Sequence, residues 1–378
     1  MTTRPLVALD IGATKVACAI GLPHEHTPGF ELLGTSLVAY PARPDGWLSE
    51  PLAVGQTIEQ ALEAAGVSGD FDRAVVAINP PSLASERTRA MVALADEPIT
   101  VRSKDLERLQ AHAVHHILGI DREPLLIERL SCTGNGFDGV RDPRGLAATR
   151  LAGVFHILTM PLSARRALVQ AVESAGLEVA RLTYALPAAL AGAGDESLSR
   201  KRIIVVDIGG LTAEMGLFIE GVLHAVSIVP WGGLTLSTEI AQTCRVTMDQ
   251  AIAWSLEGRA CRKPEAHALI DGKWQSISEA LTRLLEDQPR PDAVLVCGRG
   301  ALMDGFVEWI EQAIGIPASL CRSPRTSQLG DLSRQIGLVG AIGLLELALR
   351  DGASRALRPS RGVNRLLERT RTILTEYF

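Results

Sequence analysis

A short motif that occurs twice constrains the fold of this chain more than any other feature of its sequence. The first copy, DIGATK, runs from Asp10 to Lys15, and the second, DIGGLT, runs from Asp207 to Thr212. Each copy follows a short apolar run and precedes another, from Val16 to Ile20 and from Met215 to Ile219. Two β-rich runs joined by a glycine-bearing turn are typical of a β-hairpin. The repeat therefore predicts two similar halves, each containing such a hairpin.

Helical and strand-like patterns alternate along the rest of the chain. This alternation predicts layered α/β structure, and 378 residues suffice for two domains with separate cores. A break at Pro80 and turn-rich sequence from Gly134 to Gly145 predict a separate inserted subdomain at about 80–160. The predicted helices are Leu52–Ala65, Ser163–Ala175, Leu236–Leu256 and Phe306–Ile314, and the predicted strands are Ala74–Ile78 and Ala293–Val296.

Composition and charge argue against several classes of protein. The net charge of −5 argues against general nucleic-acid binding. The six cysteines are scattered without Cys-x-x-Cys spacing, which predicts neither a zinc site nor a disulfide framework. His112, His115 and His116 lack a matching carboxylate or cysteine cluster, so packed or solvated histidines are expected there. No signal peptide is predicted, and the longest apolar stretch, Gly337 to Leu349, is too short to span a bilayer.

The two predicted turns have the chemistry of a phosphate-binding site. Glycines let backbone N–H groups converge on an anion without side chains in the way, and nearby hydroxyl and ammonium groups add donors. Aspartates at the strand ends could hold Mg²⁺ through water, and the ion would offset the phosphate charge. A third glycine element could pass beneath an adenosine ring, with Arg299 stacking on the ring. The candidate residues are Asp10, Gly12, Ala13, Thr14, Lys15, Asp207, Gly209, Gly210, Leu211, Thr212, Gly298, Arg299 and Gly300, with Asp10 and Asp207 as candidate metal ligands.

These three elements resemble, in order and spacing, the two phosphate hairpins and the adenosine turn of the actin and heat-shock-chaperone ATPase superfamily. Within that superfamily the insertion is similar to the FtsA family, and the resemblance extends over most of the chain. The similar segments are Asp142–Leu146, Arg150–Leu151, His156–Thr159 and Ala171–Val179. The resemblance implies an actin-like, two-lobed α/β ATPase fold of duplicated ribonuclease-H-like domains, with ATP and Mg²⁺ between the lobes. It also implies self-assembly into filaments and recruitment of a tubulin-like FtsZ partner to the membrane, with other division proteins as possible partners.

The domain organisation is predicted from this resemblance and from the composition of the C-terminal segment, which is first rich in helix breakers and then amphipathic. The expected parts are a first actin-like lobe (1–79, 161–195 and 336–350), an FtsA-type inserted subdomain (80–160), a second lobe (196–335) with a shortened outer subdomain (231–290), a flexible linker (351–361) and an amphipathic membrane-targeting helix (362–378).

Several positions depart from the pattern of the FtsA family. Leu211 stands where the second hairpin usually has a third glycine, and Glu214 stands where it usually has an aspartate. Arg299 replaces the second glycine of the paired glycines in the adenosine turn. Gln250 and Ala253 align with a Glu and a Lys that the family usually shows in the ribose and adenine region. These departures concern the nucleotide site more than the fold.

The C-terminal segment predicts an amphipathic helix. On a helical wheel of 100° per residue its apolar side chains share an arc of about 140°. Arg369 and Arg371 flank this arc, where guanidinium groups can reach lipid headgroups. A terminal helix docked on the core, a partner-binding helix and an arginine-rich nucleic-acid arm are the alternatives. The residues expected to contact an anionic membrane are Val363, Leu366, Leu367, Arg369, Arg371, Ile373, Leu374, Tyr377 and Phe378.

Together with the amphipathic C-terminal segment, the resemblance implies an FtsA-like cell-division protein that binds ATP, self-assembles and tethers an FtsZ-like partner to the cytoplasmic side of the inner membrane. No candidate acid or base for water activation stands out from Leu182 to Gly194, so at most slow ATP hydrolysis is expected. A degenerate actin-like adaptor, similar in role to PilM, is the alternative that Leu211, Gln250 and Ala253 favour. A sugar kinase of the same superfamily would leave the amphipathic tail unexplained.

Overall fold

The computed structural model describes residues 4–350 apart from residues 26, 28, 41–49, 70 and 81. The predicted linker (351–361) and the predicted amphipathic helix (362–378) lie outside the described residues. The strands are β1 (Leu6–Ile11), β2 (Lys15–Pro23), β3 (Phe30–Ala39), β4 (Arg73–Ile78), β5 (Ala84–Ala93), β6 (Ile99–Thr100), β7 (Arg122–Gly134), β8 (Phe137–Val140), β9 (Ala147–Ala148), β10 (Arg150–Pro161), β11 (Glu178–Tyr184), β12 (Arg202–Ile208), β13 (Ala213–Ile219), β14 (Val222–Val229), β15 (Ala293–Cys297) and β16 (Ala318–Leu320). The α-helices are α1 (Pro51–Ala64), α2 (Ser103–Ile117), α3 (Leu162–Ser174), α4 (Ala185–Gly192), α5 (Gly233–Cys244), α6 (Met248–Glu257), α7 (Pro264–Leu285), α8 (Phe306–Ile314), α9 (Leu332–Gly337) and α10 (Val339–Arg350).

Five strands form the first sheet, in the order β11-β4-β1-β2-β3. β1 and β2 pair antiparallel on either side of the first glycine turn, whereas β4 runs parallel to β1 and β11 parallel to β4. Successive side chains of a strand point to opposite faces. Val7, Leu9 and Ile11 therefore pack with α1 and α3, while Leu6 and Ala8 pack with α10. Helices thus cover both faces of this sheet.

The second sheet, in the order β14-β13-β12-β15-β16, repeats the arrangement of the first. β12 and β13 pair antiparallel on either side of the second glycine turn, and β15 runs parallel to β12 as β4 does to β1. On one face, α7 and α8 contribute an aromatic cluster of Trp274, Phe306 and Trp309, with ring centroids 5.2 to 5.8 Å apart. The two similar halves predicted from the repeated motif are therefore present in the structure.

The two sheets are joined through α4. Leu186 and Ala189 of this helix belong to one core cluster with Val205 and Phe218 of the second sheet, and the same cluster contains Leu9 of the first sheet. A contiguous apolar core thus extends from one lobe into the other. The two lobes that contain the glycine hairpins therefore share one core.

The inserted subdomain is built on a four-stranded sheet in the order β5-β10-β7-β8, with α2 packed against it. A short β6–β9 pair lies beside this sheet. His156 of β10 is buried, and its Nδ1 lies 3.0 Å from the carbonyl oxygen of Leu223 in β14. The insert therefore contacts the edge strand of the second lobe as well as being continuous with the first.

The chain between β14 and β15 has three α-helices and a short 3-10 helix, and no strand is found in this part, all of which the structure describes. One helix was predicted over Leu236–Leu256, but α5 and α6 occupy this region as two helices. Arg245 adopts a left-handed conformation at φ 54°, which ends α5. The Thr247 side chain accepts a hydrogen bond from Gln250 N and caps the start of α6. The apolar period continues across this break, which is why the pattern suggested one helix.

Leu332–Arg350 is long and apolar enough to cross a membrane by length and composition alone. Most of this segment is buried within the first lobe, however. Leu338, Ile342 and Leu345 of the segment belong to the core cluster that covers one face of the first sheet. The segment, which comprises α9 and α10, thus has the packing of core helices, which explains its apolar composition.

Candidate functional site

A cavity of about 510 Å³ lies between the two lobes. Both glycine hairpins, the start of α5, one side of α6 and the turn after β15 line it. Every residue that the sequence singled out for nucleotide binding contributes to this lining. These residues are Asp10, Gly12, Ala13, Thr14, Lys15, Asp207, Gly209, Gly210, Leu211, Thr212, Gly298, Arg299 and Gly300.

The tips of the two hairpins touch across the cleft. Each turn is closed by a backbone hydrogen bond of 2.9 Å, from Gly12 N to the carbonyl of Lys15 and from Gly209 N to that of Thr212. A Cβ atom added at Gly210 would lie 2.6 Å from Cγ2 of Thr14, which is closer than real Cβ atoms approach their neighbours. Only a glycine at position 210 thus lets the tips come together without one of them shifting. The backbones of both turns therefore border the same cavity.

Two aspartates, one from each hairpin strand, carry the negative charge of the cleft. Lys15 Nζ donates to Asp10 Oδ2 at 3.0 Å and to the carbonyl oxygen of Gly337 at 2.9 Å. Burial raises the pKa of Asp207 to about 6, and the charge of Asp10 adds to the rise. Lys15 and a hydrogen bond from Asn79 oppose that rise. No group of three or more His, Cys, Asp or Glu residues that could hold a metal occurs in the described part of the chain.

Asn79 is a site residue that the sequence did not single out. Its Nδ2 donates to Asp207 Oδ2 at 3.0 Å, so the end of β4 in the first lobe is bonded to the second lobe. Its Oδ1 is buried and has no hydrogen-bond partner among the described residues. A buried carbonyl oxygen without a partner is costly. The sequence signalled only a strand end at this position, because Asn79 precedes Pro80.

Glu214, noted as a departure from the family pattern, lies in a buried hydrogen-bond network beneath the second hairpin. Its side chain accepts a hydrogen bond from the Tyr184 hydroxyl and another, of 3.1 Å, from Thr212 Oγ1. Burial raises the pKa of Glu214 to about 8. The hydrogen bond from Tyr184 opposes the rise and the charge of Asp207 adds to it. Glu214 is therefore mainly protonated at neutral pH. Its hydrogen bonds with Tyr184 and Thr212 stabilise the second hairpin.

Glu214→Gln is expected to change how the stability of the protein depends on pH. Between the ordinary pKa of 4.5 and the folded value of about 8, the folded carboxyl keeps a proton that the unfolded chain has released. Raising the pH therefore favours unfolding of the wild type, by about 1 kcal/mol per pH unit, and the variant lacks this contribution because its amide does not titrate. Between pH 5 and pH 7 in urea unfolding, the variant should gain about 2 kcal/mol relative to the wild type. An equal difference at both pH values would contradict a protonated buried Glu214.

The third glycine element, Gly298 to Gly300, packs closely against strand β12. Gly298 has φ 75°, and a Cβ there would lie 2.3 Å from Oδ1 of Asp207. A Cβ at Gly300 would lie 2.2 Å from Cγ2 of Ile208. The two glycines thus allow the turn to pass directly over β12. Arg299 between them is exposed and begins a short 3-10 helix, Arg299–Leu302.

Gln250 and Ala253, aligned with the family's ribose and adenine positions, do not line the cavity. Both are exposed on α6, and the Gln250 side chain accepts a hydrogen bond of 3.2 Å from Thr247 N at the start of the helix. Ile252 and Leu256 face the cavity instead. The orientation of α6 about its own axis decides which of its residues face the cavity. The family resemblance alone did not indicate that orientation.

Comparison with known proteins agrees with this architecture. The model of the SHS2 domain inserted in FtsA matches residues 81–159. The cell division protein FtsA of Pseudomonas aeruginosa is 24% identical to this chain over an aligned length, gaps included, of 392 residues. The match covers 94% of this chain and 93% of that protein. A chain of the PilM–PilN type IV pilus biogenesis complex superposes with a TM-score of 0.67 at 17% identity, covering 94% of this chain and 99% of its own.

A second solved structure has the same fold. MreB5 of Spiroplasma citri bound to AMPPNP has a TM-score of 0.51 at 13% identity and covers 94% of this chain and 99% of its own. At such low identity the solved structures show the fold alone. The relatives named FtsA and the SHS2 match agree with the family resemblance read from the sequence. The chain therefore has the actin-like ATPase fold, contains a segment that matches the SHS2 domain inserted in FtsA, and is similar over most of its length to proteins named FtsA.

Proposed function

We propose that this chain is an FtsA-type protein that binds ATP with Mg²⁺ between its lobes, self-assembles, and tethers an FtsZ-like partner to the inner face of the cytoplasmic membrane. The observation that carries the proposal is the convergence of three glycine elements, far apart in the sequence, on one cavity. Backbone N–H groups of two tight turns and the hydroxyl of Thr14 suit a chain of phosphates. The structure of MreB5 bound to AMPPNP is a case of this fold with a nucleotide analogue.

The residues present fit a hydrated Mg²⁺ ion. Asp10 and Asp207 are acceptors on opposite sides of the cleft, and Mg²⁺ prefers oxygen ligands and keeps several of its waters. The buried Oδ1 of Asn79 beside Asp207 is an acceptor that still lacks a donor among the described residues. When bound, the ion would offset the charge of the phosphates. Asp10, Asp207 and Asn79 would hold it through its water molecules.

Slow hydrolysis at most is expected at this site. A general base must reach the attacking water and be able to take its proton. Glu214 is buried and bonded to Tyr184 and Thr212, and α4 presents Ala185 and Ala189 to the cavity. None of these side chains offers a free ionised carboxylate. The nucleotide is therefore proposed to regulate assembly and not to drive rapid turnover.

Membrane attachment is proposed for the C-terminal residues 362–378. The support comes from the sequence: an apolar arc flanked by arginines follows a segment rich in helix breakers. One such helix gives only modest, reversible binding, so firm attachment would need several copies in an assembly. Self-assembly and membrane attachment would then reinforce each other.

A degenerate actin-like adaptor that binds a partner peptide and hardly turns over ATP is the second candidate. Leu211 occupies the cavity where a third glycine would leave room, and Gln250 and Ala253 lie outside the cavity lining. The segment between β14 and β15, which is helical, occupies the region where the sequence predicts a shortened outer subdomain (231–290). If the wild type fails to bind ATP in an equilibrium assay, this candidate is preferred.

Removing residues 362–378 is expected to abolish binding to vesicles that contain anionic lipid. The apolar arc supplies the membrane-buried area and the flanking arginines supply attraction to anionic headgroups. The measurement is co-sedimentation with phosphatidylglycerol–phosphatidylcholine vesicles, with and without ATP, and the wild type should bind more when ATP promotes assembly. Unchanged sedimentation of the truncated protein would rule out the membrane helix.

Two point variants provide a matched control for this experiment. Leu374 lies in the apolar arc, whereas Thr372 lies on the opposite side of the predicted helix. Leu374→Asp should reduce vesicle binding strongly and Thr372→Asp should reduce it little, although both add one negative charge. Equal losses would indicate that net charge alone, and not an apolar face, governs binding.

A further inference from the structure

The end of the cavity away from the hairpin tips is walled mainly by apolar side chains. α5, α6 and the short 3-10 helix after β15 form this wall, which we call the base wall. Its side chains are those of Ser237, Ile252, Ser255, Leu256, Leu302 and Met303. Ile252 and Leu256 are 40% and 43% exposed, so their apolar surface is open to whatever occupies the cavity. Exposed apolar surface inside a cleft favours a flat, apolar ligand face.

The two hydroxyl groups of the base wall are already engaged in hydrogen bonds. Ser237 Oγ donates to the carbonyl oxygen of Gly233 and Ser255 Oγ to that of Ile252, each at 2.8 Å. The two Oγ atoms lie 3.1 Å apart, and both serines are buried. A serine hydroxyl has one hydrogen to donate. Neither serine therefore has a free donor with which to recognise a base.

The charged side chain next to the base wall does not supply strict recognition either. Arg299 lines the cavity from the exposed start of its 3-10 helix. A guanidinium group stacks on any aromatic ring through its flat face. Gln250, the polar residue aligned with the family's ribose and adenine region, caps α6 outside the lining. Recognition by stacking treats the two purines alike, because it uses their faces and not their edges.

Adenine and guanine differ in the donors and acceptors along their edges, where adenine has an amino group and guanine a carbonyl oxygen. A site discriminates strongly between such ligands only when its own polar groups would be left without partners by the wrong one. We propose that the base wall accepts both purines, so that the cleft binds ATP and GTP with less than about tenfold preference. This inference rests on the proposed function, because it assumes that the phosphates are seated on the hairpins.

The test is equilibrium binding of ATP, GTP and CTP to the full-length protein with Mg²⁺. The dissociation constants for ATP and GTP should agree within about tenfold, and CTP should bind more weakly because its single ring covers less of the wall. ATP binding with a preference over GTP of more than about tenfold would overturn the inference and leave the proposed nucleotide site intact. Binding of neither purine nucleotide would overturn both.

Variants of α6 separate an apolar wall from a hidden polar contact. Ile252→Ala removes apolar surface from the base wall and should weaken ATP and GTP equally, by about three- to tenfold. Met248 is one turn earlier on the same helix and is exposed to a similar extent, at 39%, but does not line the cavity. Met248→Ala should therefore leave both dissociation constants unchanged. A loss confined to one of the two purine nucleotides in Ile252→Ala would contradict recognition through the apolar wall.

Discussion

Gly343→Ala is expected to destabilise the protein by about 2–4 kcal/mol, although it adds a single methyl group to a helix. A Cβ at position 343 would lie 1.7 Å from the carbonyl oxygen of Ala188 and 2.6 Å from the backbone nitrogen of Gly192. Both atoms belong to the backbone of α4, so no side-chain rotation can relieve the contact. α4 also joins the cores of the two lobes. The helices would have to move apart, and the shared core would be disturbed.

The measurement is the midpoint of urea unfolding, and a second glycine provides the control. Gly272 lies within α7, and a Cβ added there would meet no atom within 4 Å. Ala is favoured over Gly within a helix by about 1 kcal/mol, so Gly272→Ala should be as stable as the wild type or slightly more stable. If Gly343→Ala were as stable as Gly272→Ala, the close contact of α10 with α4 would not be a feature of the folded protein.

The parts of the site that depend on local chemistry could be predicted from the sequence. A glycine turn between two apolar runs is a local signal, and both hairpins and their shared topology were found where the motif placed them. The helix predicted over Phe306–Ile314 has the same bounds in the structure, because glycines at both ends stop its periodic pattern. Convergence of the glycine elements on one cavity was predicted from the family resemblance and not from local chemistry.

Contacts between distant segments could not be predicted in this way. Asn79 bonds to Asp207 across the cleft, yet nothing in the sequence around Asn79 indicates that partner. The close approach of Gly343 to Ala188 is a property of two helices whose relative position depends on the whole core. A periodic pattern shows which face of a helix is apolar but not what that face will meet. For the same reason Ile252, rather than Gln250, was found at the cavity.

Gly210→Val is expected to weaken ATP binding at least about a hundredfold while leaving the protein folded. The Cβ atom of a valine at position 210 would lie 2.6 Å from Cγ2 of Thr14, so the Thr14 side chain or one of the hairpin tips must shift, and the added side chain would take up space in the lining of the cavity. The phosphates would then lose the backbone N–H groups of one turn, each of which can donate a charge-assisted hydrogen bond. The measurement is the dissociation constant for ATP, with circular dichroism to verify the fold.

Leu211→Gly, in the same turn, is the control variant. It removes a side chain from the cavity and should bind ATP as well as the wild type or more tightly. Wild-type affinity in Gly210→Val would show that ATP does not use the space between the tips.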